Sequence, residues 1–323
     1  MGKDHVTFER HVRPERLRPG DTIGIIAPAS PTSRDELARA LAIFSTFGYP
    51  VRLGRSVHEH VGYLSGSDAV RAYDIHTMFG DDEVKAIVCL RGGYGTLRLL
   101  NLLDYSFIAR HPKIFVGYSD ITALHVAFSQ RANLLTFHGP MVANLAARQP
   151  DMQSWHILFD LLSDPATFPT YSGDTPRSGD GACSFTIHEG SAQGALTGGN
   201  LSLLVSTLGT PYEVDTRDKI LLIEDVDEQP YRIDRMLTQL LHAGKLHAAR
   251  GILCTDFKRS ETSPQQGWRI ADVLSDRLSS VPIPAFYGLP VGHCFPNFTL
   301  PIGGLIHMDA TARQVNFLQS CVD

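Results

Sequence analysis

From Thr22 to about Ser163 the apolar positions of this chain alternate between two spacings. Short continuous runs at Thr22–Pro28, Tyr49–Leu53, Val84–Leu90, Ile114–Tyr118 and Leu134–His138 predict strands. Helical spacing lies between them, as in Ser33–Phe47, which sets Leu37, Leu41 and Phe44 on one face. Ile/Val runs without polar alternation, separated by helices, predict a parallel sheet covered on both faces. The first half therefore reads as an open, mostly parallel α/β sheet flanked by helices.

The pattern breaks between Pro165 and Ala182, where Pro165, Pro169, Gly173, Pro176, Gly179 and Gly181 stand among few large apolar side chains, a loop composition. Beyond it, strands are predicted at Ser184–His188, Lys219–Ile223, Gly251–Cys254, Leu305–Asp309 and Gln314–Leu318. Helices are predicted at Asn200–Leu208, Tyr231–Ala243 and Trp268–Ser279. The expected organisation is an N-terminal α/β domain over 1–165, a linker over 166–182 and a smaller C-terminal α/β domain with a mixed sheet over 183–323.

At 323 residues, with 43% hydrophobic and 20% charged side chains, the chain has the composition of a globular protein, and no run reaches the ~18 apolar residues of a membrane helix. A net charge of −5 argues against a nucleic-acid partner, which requires a basic surface. The first ten residues are charged and lack the apolar core of a secretory leader, and Val6 stands where a myristoylation site needs Ser or Thr. A cytoplasmic location is the expectation. Five scattered cysteines, none in Cys-x-x-Cys spacing, suggest reduced thiols rather than a disulfide framework or zinc site.

The chemistry concentrates at strand ends. Phe115-Val116-Gly117-Tyr118-Ser119-Asp120-Ile121 reads as a strand that stops at a glycine, turns through a serine and opens into a helix. Such a turn projects a serine hydroxyl and aims the first helical N–H groups at whatever it attacks. Ser119-Asp120 also suits a plain helix cap. Arg91-Gly92-Gly93-Tyr94-Gly95 follows the strand Val84–Leu90. Its glycines permit close backbone approach, so that an amide of this loop and that of Asp120 could converge on a carbonyl oxygen. A dinucleotide loop is excluded by Arg98, and no Walker-type motif exists. Glu224 closes the apolar strand Lys219–Ile223, where a buried carboxylate needs a partner, although the acidic run after it also fits a solvated loop. His293 sits between Gly292 and Cys294 in a loop, a common place for a catalytic base. The order Ser, Glu, His matches α/β-hydrolases, yet Gly117-Tyr118-Ser119-Asp120-Ile121 lacks the second glycine of their Gly-x-Ser-x-Gly turn, which makes a conventional esterase the second choice.

Taken together, Arg91-Gly92-Gly93-Tyr94-Gly95, Gly117-Tyr118-Ser119-Asp120-Ile121-Thr122-Ala123-Leu124, Gly139-Pro140-Met141, Gly198-Gly199-Asn200, Glu224-Asp225 with Tyr231-Arg232-Ile233-Asp234-Arg235, and Gly292-His293 resemble the LD-carboxypeptidase family of serine peptidases, in that family's order from about Asp21 to Gly304. The resemblance implies a catalytic triad of Ser119, Glu224 and His293 split across two domains, with the amides of Gly93 and Asp120 as oxyanion hole. It further implies a homodimer that needs no metal or other cofactor and cuts murein tetrapeptide before its terminal D-alanine during cell-wall recycling. Arg91, Gly92, Tyr94, Asn200 and Arg232 are candidates for substrate contact, the two arginines for a terminal carboxylate. One branch of the family resembles the microcin C self-immunity proteins, which cleave aminoacyl-nucleotide analogues and carry a longer, tryptophan-bearing insertion between serine and glutamate. Here that interval holds only the loop 165–182, and its one tryptophan, Trp155, falls in a helical stretch, so the peptide reading is preferred.

Overall fold

The computed structural model describes residues 11–178, 183–258 and 267–323. The segment read for a leader, and Gly179 and Gly181 of the loop stretch, lie outside the described residues. In chain order the strands are β1 (Thr22–Ile26), β2 (Val51–Leu53), β3 (Val84–Cys89), β4 (Ile114–Gly117), β5 (Thr136–His138), β6 (Thr170–Ser172), β7 (Phe185–His188), β8 (Ser191–Asn200), β9 (Ile220–Val226), β10 (Gly251–Lys258), β11 (Ala285–Tyr287), β12 (Leu300–Ile302), β13 (Leu305–Asp309) and β14 (Gln314–Phe317). The helices are α1 (Arg34–Phe44), α2 (Asp68–Gly80), α3 (Tyr105–Arg110), α4 (Thr122–Ala132), α5 (Met152–Ser163), α6 (Leu201–Ser206), α7 (Pro230–His242), α8 (Lys245–Ala248) and α9 (Ile270–Leu278).

One sheet has the order β12-β5-β4-β3-β1-β2, parallel except for β12, which runs antiparallel to β5. All four residues of β4, and nearly all of β1 and β3, are buried, which is why they read as unbroken apolar runs. Helix α1 starts in a capping box between Ser33 and Glu36 and buries Leu37, Ala40 and Phe44. Phe44 meets the Trp155 ring edge-on at 5.3 Å, securing α1 against α5. The second sheet, β6-β14-β13-β8-β9-β10-β11-β7, is parallel across β8 to β11 and antiparallel on both flanks. This is the expected pair of layers, one mostly parallel and one mixed. A single buried cluster runs through both, joining Ile23, Val116 and Phe137 to Leu196, Leu222 and Phe286.

Three departures from the sequence pattern bear on the placement of functional side chains. Strand β9 continues beyond Ile223 through Glu224 and Asp225, so the acidic pair is buried rather than solvated. Strand β8 carries three glycines in ten residues and no alternating apolar signal, yet lies beside β9 and pairs Asn200 with Glu224. Strand β12, late in the sequence, closes the edge of the first sheet, while β6 from the loop-like stretch joins the second.

Candidate active site

Strand β4 ends at Gly117; Tyr118 remains extended, and Ser119 then takes φ 64° before a tight turn over Ser119–Ile121 enters α4. A non-glycine residue held in the left-handed region costs about 1–2 kcal/mol, so its surroundings must impose it. They do so through buried polar contacts. The Asp120 carboxylate accepts the Thr96 N–H at 2.9 Å, while the Thr96 hydroxyl donates to the Asp120 carbonyl at 2.5 Å. Below the turn, burial pushes His125 down to about 3 and keeps it neutral. Its Nε2–H then donates to the Gly117 carbonyl and its Nδ1 accepts from the Thr136 hydroxyl, both at 2.8 Å. Gly92 lies over the serine: a Cβ there would stand 3.1 Å from Ser119 Oγ and 3.3 Å from the Asp120 nitrogen. A side chain there would press on the serine, so glycine lets the Arg91–Gly93 backbone approach the turn without displacing it.

The second sheet contributes a histidine and a carboxylate. Asn297 Oδ1 accepts the Gly292 N–H at 2.8 Å, fixing the loop on which His293 stands. His293 Nδ1 lies 2.7 Å from Glu224 Oε2; the Glu224 side chain is fully buried and that of His293 is 16% exposed. Burial pulls the imidazole pKa down, but the Glu224 charge, its hydrogen bond and the more distant Asp256 and Asp225 outweigh it and leave His293 raised. Burial likewise favours a protonated Glu224, and the attraction and hydrogen bond of His293 reverse this, holding Glu224 low. The pair is thus ionised on the carboxylate side, with the imidazole turned by its Nδ1. Tyr118 packs edge-on against the His293 ring at 4.9 Å, and its hydroxyl accepts from Asn144 Nδ2 at 3.2 Å. The neighbouring Asp225 is pushed up to about 6, first by burial and then by Glu224; its carboxylate accepts from Asn200 Nδ2, Ser202 N–H and hydroxyl, and Val226 N–H.

The two contributions meet in a cavity of about 250 Å³. Ser119, His293, Arg91, Gly92 and Gly93 line it, and Asp120 and Glu224 stand directly behind Ser119 and His293. Three sequence candidates are placed elsewhere. Tyr94 is exposed, its N–H donating to Ser30 Oγ and its ring edge-on to Tyr63 at 5.4 Å. Asn200 is buried, capping α6 and bonding Asp225. Arg232 lies on the surface of α7 over the Tyr231 ring, with an ion pair to Glu228 at 3.5 Å. The cavity also contains residues the motifs did not single out as contacts: Thr32 and Glu36 from the start of α1, and Met141, Ala143 and Asn144 after β5. The Ser33-x-x-Glu36 spacing is a visible helix start, but nothing local says that this start faces a cavity. Chemically, the site holds a hydroxyl on a strained turn, an imidazole oriented by a carboxylate, the amides of a helix start and an arginine.

Two family models match the chain: the LD-carboxypeptidase N-terminal domain over residues 23–139 and the LD-carboxypeptidase C-terminal domain over 193–308. The chain belongs to the LD-carboxypeptidase family. It is accordingly a carboxypeptidase of the serine type. Among the family's relatives, a "probable murein peptide carboxypeptidase" of Bacillus subtilis (strain 168) is 43% identical over 307 residues, covering 95% of this chain and 94% of its own length. A solved muramoyltetrapeptide carboxypeptidase from Oxalobacter formigenes is 30% identical, with a TM-score of 0.79 over 91% of this chain and 97% of that one. The microcin C7 self-immunity protein in its ligand-free state superposes with a TM-score of 0.88 over 97% of this chain and all of that one; at 23% identity this likeness is one of fold. The N-terminal match contains the Arg91 loop and the Ser119 turn, and the C-terminal match contains Glu224 and His293.

Proposed function

We propose that this LD-carboxypeptidase removes the terminal D-alanine of murein tetrapeptide in cell-wall recycling, hydrolysing the L,D bond through a Ser119–His293–Glu224 triad. One observation carries the reading: Ser119, strained at φ 64°, opens into the same cavity as a histidine whose Nδ1 is held 2.7 Å from a fully buried carboxylate. The murein substrates named for the relatives support the choice of peptide.

In this mechanism the His293 Nε2 takes the Ser119 proton as the hydroxyl attacks the scissile carbonyl, and Glu224 fixes the tautomer and stabilises the imidazolium. The Gly93 and Asp120 amides receive the oxyanion. His293 then returns its proton to the leaving amine, D-alanine departs and water hydrolyses the acyl-enzyme. Arg91, anchored by a 3.3 Å bond from Nη1 to the Pro31 carbonyl, is the cation available in the cavity for the substrate's terminal carboxylate. The same reading carries a cytoplasmic location and a homodimeric state, testable by cell fractionation and by sedimentation.

The deciding assay compares tetrapeptides ending in D-alanine and L-alanine. A pocket built for the D-centre misplaces the carbonyl of the L-isomer, and a misplacement of about 1 Å costs on the order of 100-fold. Equal rates on the two would refute the assignment. An aminoacyl-sulfamoyl adenosine in the same assay tests the immunity-type alternative, which the short Ser119-to-Glu224 interval disfavours.

A further inference from the structure

The cavity contains one charge that takes no part in the triad mechanism. Glu36 lines it together with Ser119, His293 and Arg91. Its carboxylate is locked in place: Oε2 accepts from the Thr32 hydroxyl at 2.9 Å, the Ser33 N–H at 3.1 Å and the Ser33 hydroxyl at 2.9 Å, and Oε1 takes none of these bonds. Those donors, the Ser33 amide foremost, hold its pKa below the usual carboxylate range, and Arg91 adds to the effect. Both charges line the cavity.

The helix start accounts for a carboxylate at this position, and the cavity gives that same carboxylate a second surface to act on. An anion in this cavity opposes both the substrate's terminal carboxylate and the developing oxyanion; Arg91 offsets part of that repulsion, and a cation on the substrate offsets more. We propose that Glu36 is a specificity determinant that binds an ammonium on the side chain of the residue whose carbonyl Ser119 attacks, the chemistry of a lysine or a diaminopimelate. The inference rests on the peptidase function proposed for this chain and deepens it. Glu36 and Arg91 divide the cavity into an acceptor for the acyl residue's side chain and a donor for the leaving residue's carboxylate.

The test uses tetrapeptides that differ only at that residue, carrying L-lysine, meso-diaminopimelate or norleucine, with the wild-type chain and Glu36→Gln. A hydrogen-bonded charge pair of this kind is expected to favour the two cationic peptides over norleucine by about 10- to 100-fold in kcat/KM. In Glu36→Gln that ratio falls toward one through loss on the cationic peptides, while an unchanged urea midpoint shows that the cap survives. Between the two cationic peptides, the better substrate identifies the source of the ammonium. An undiminished ratio in Glu36→Gln, or equal cleavage of all three peptides by the wild type, overturns this inference and leaves the peptidase reading standing. No cleavage of any of them overturns both.

Discussion

Ser119, the proposed nucleophile, is held in a strained conformation. Because its φ of 64° suits glycine rather than an L side chain, Ser119→Gly should stabilise the fold by about 1 kcal/mol in urea denaturation, and Ser119→Ala should not. Both should lose activity by about 10⁴-fold or more if the hydroxyl is the nucleophile. A serine that could be replaced by alanine with turnover intact would exclude the covalent route. His293 gives a second expectation at this scale. If His293 is the base, as proposed, its raised pKa should put the acid limb of kcat/KM above the ordinary histidine value of about 6.5, because the base must be neutral to accept a proton. Glu224→Gln should bring that limb down and lower the rate by about 10³- to 10⁴-fold. The corresponding stability effect runs the other way: the ion pair contributes fully below the unfolded histidine pKa and is lost as pH rises through the folded one. Activity therefore develops over the pH range in which this contribution to stability fades, which a parallel series of urea midpoints and rates would reveal.

At the scale of elements, the contact between α4 and β8 connects the Ser119 turn to Glu224. Thr122, three residues beyond Ser119, accepts the Asn200 N–H on its hydroxyl at 2.9 Å, and Asn200 lies opposite Glu224 in the sheet. A Cβ at Gly199 would stand 2.5 Å from that hydroxyl, so the strand reaches α4 only because this position has no side chain. Thr122→Val keeps the shape and orphans a buried amide; it should cost about 1–3 kcal/mol in stability and lower kcat without changing the peptide's KM. This junction is illegible in the sequence for a physical reason. The apolar runs of β1, β3 and β4 announce burial on two faces, and the period of α7 announces Ile233, Leu237 and Leu240 as its inner face. Strand β8 is defined instead by backbone proximity, which glycine permits and no hydrophobic pattern records. The Ser119 turn, Glu224 and His293 can be picked out because strand ends and glycine turns leave local marks. Glu36 cannot, because a periodicity tells which side of a helix is buried and not what its first turn faces.

Taken whole, the molecule interleaves its two halves. β12 comes from beyond His293 yet closes the first sheet against β5, and one buried cluster spans both sheets. Heating should therefore give one cooperative transition, with calorimetric and van't Hoff enthalpies that agree. Two resolved transitions would show the halves to be independent. A fragment ending at residue 165 lacks β12, one of the two partners of β5, and nearly half of that cluster, and it should be protease-sensitive where the intact chain resists. The interleaving also sets an order in time. During synthesis, domains form from the N-terminal side first. The strained serine emerges early, the carboxylate roughly a hundred residues later, and the histidine and the closing strand last of all. With the proposed triad, a nascent chain carries a hydroxyl with no base to activate it, and hydrolytic capacity arrives in a single step, when the late segment threads back to complete a sheet begun near the start.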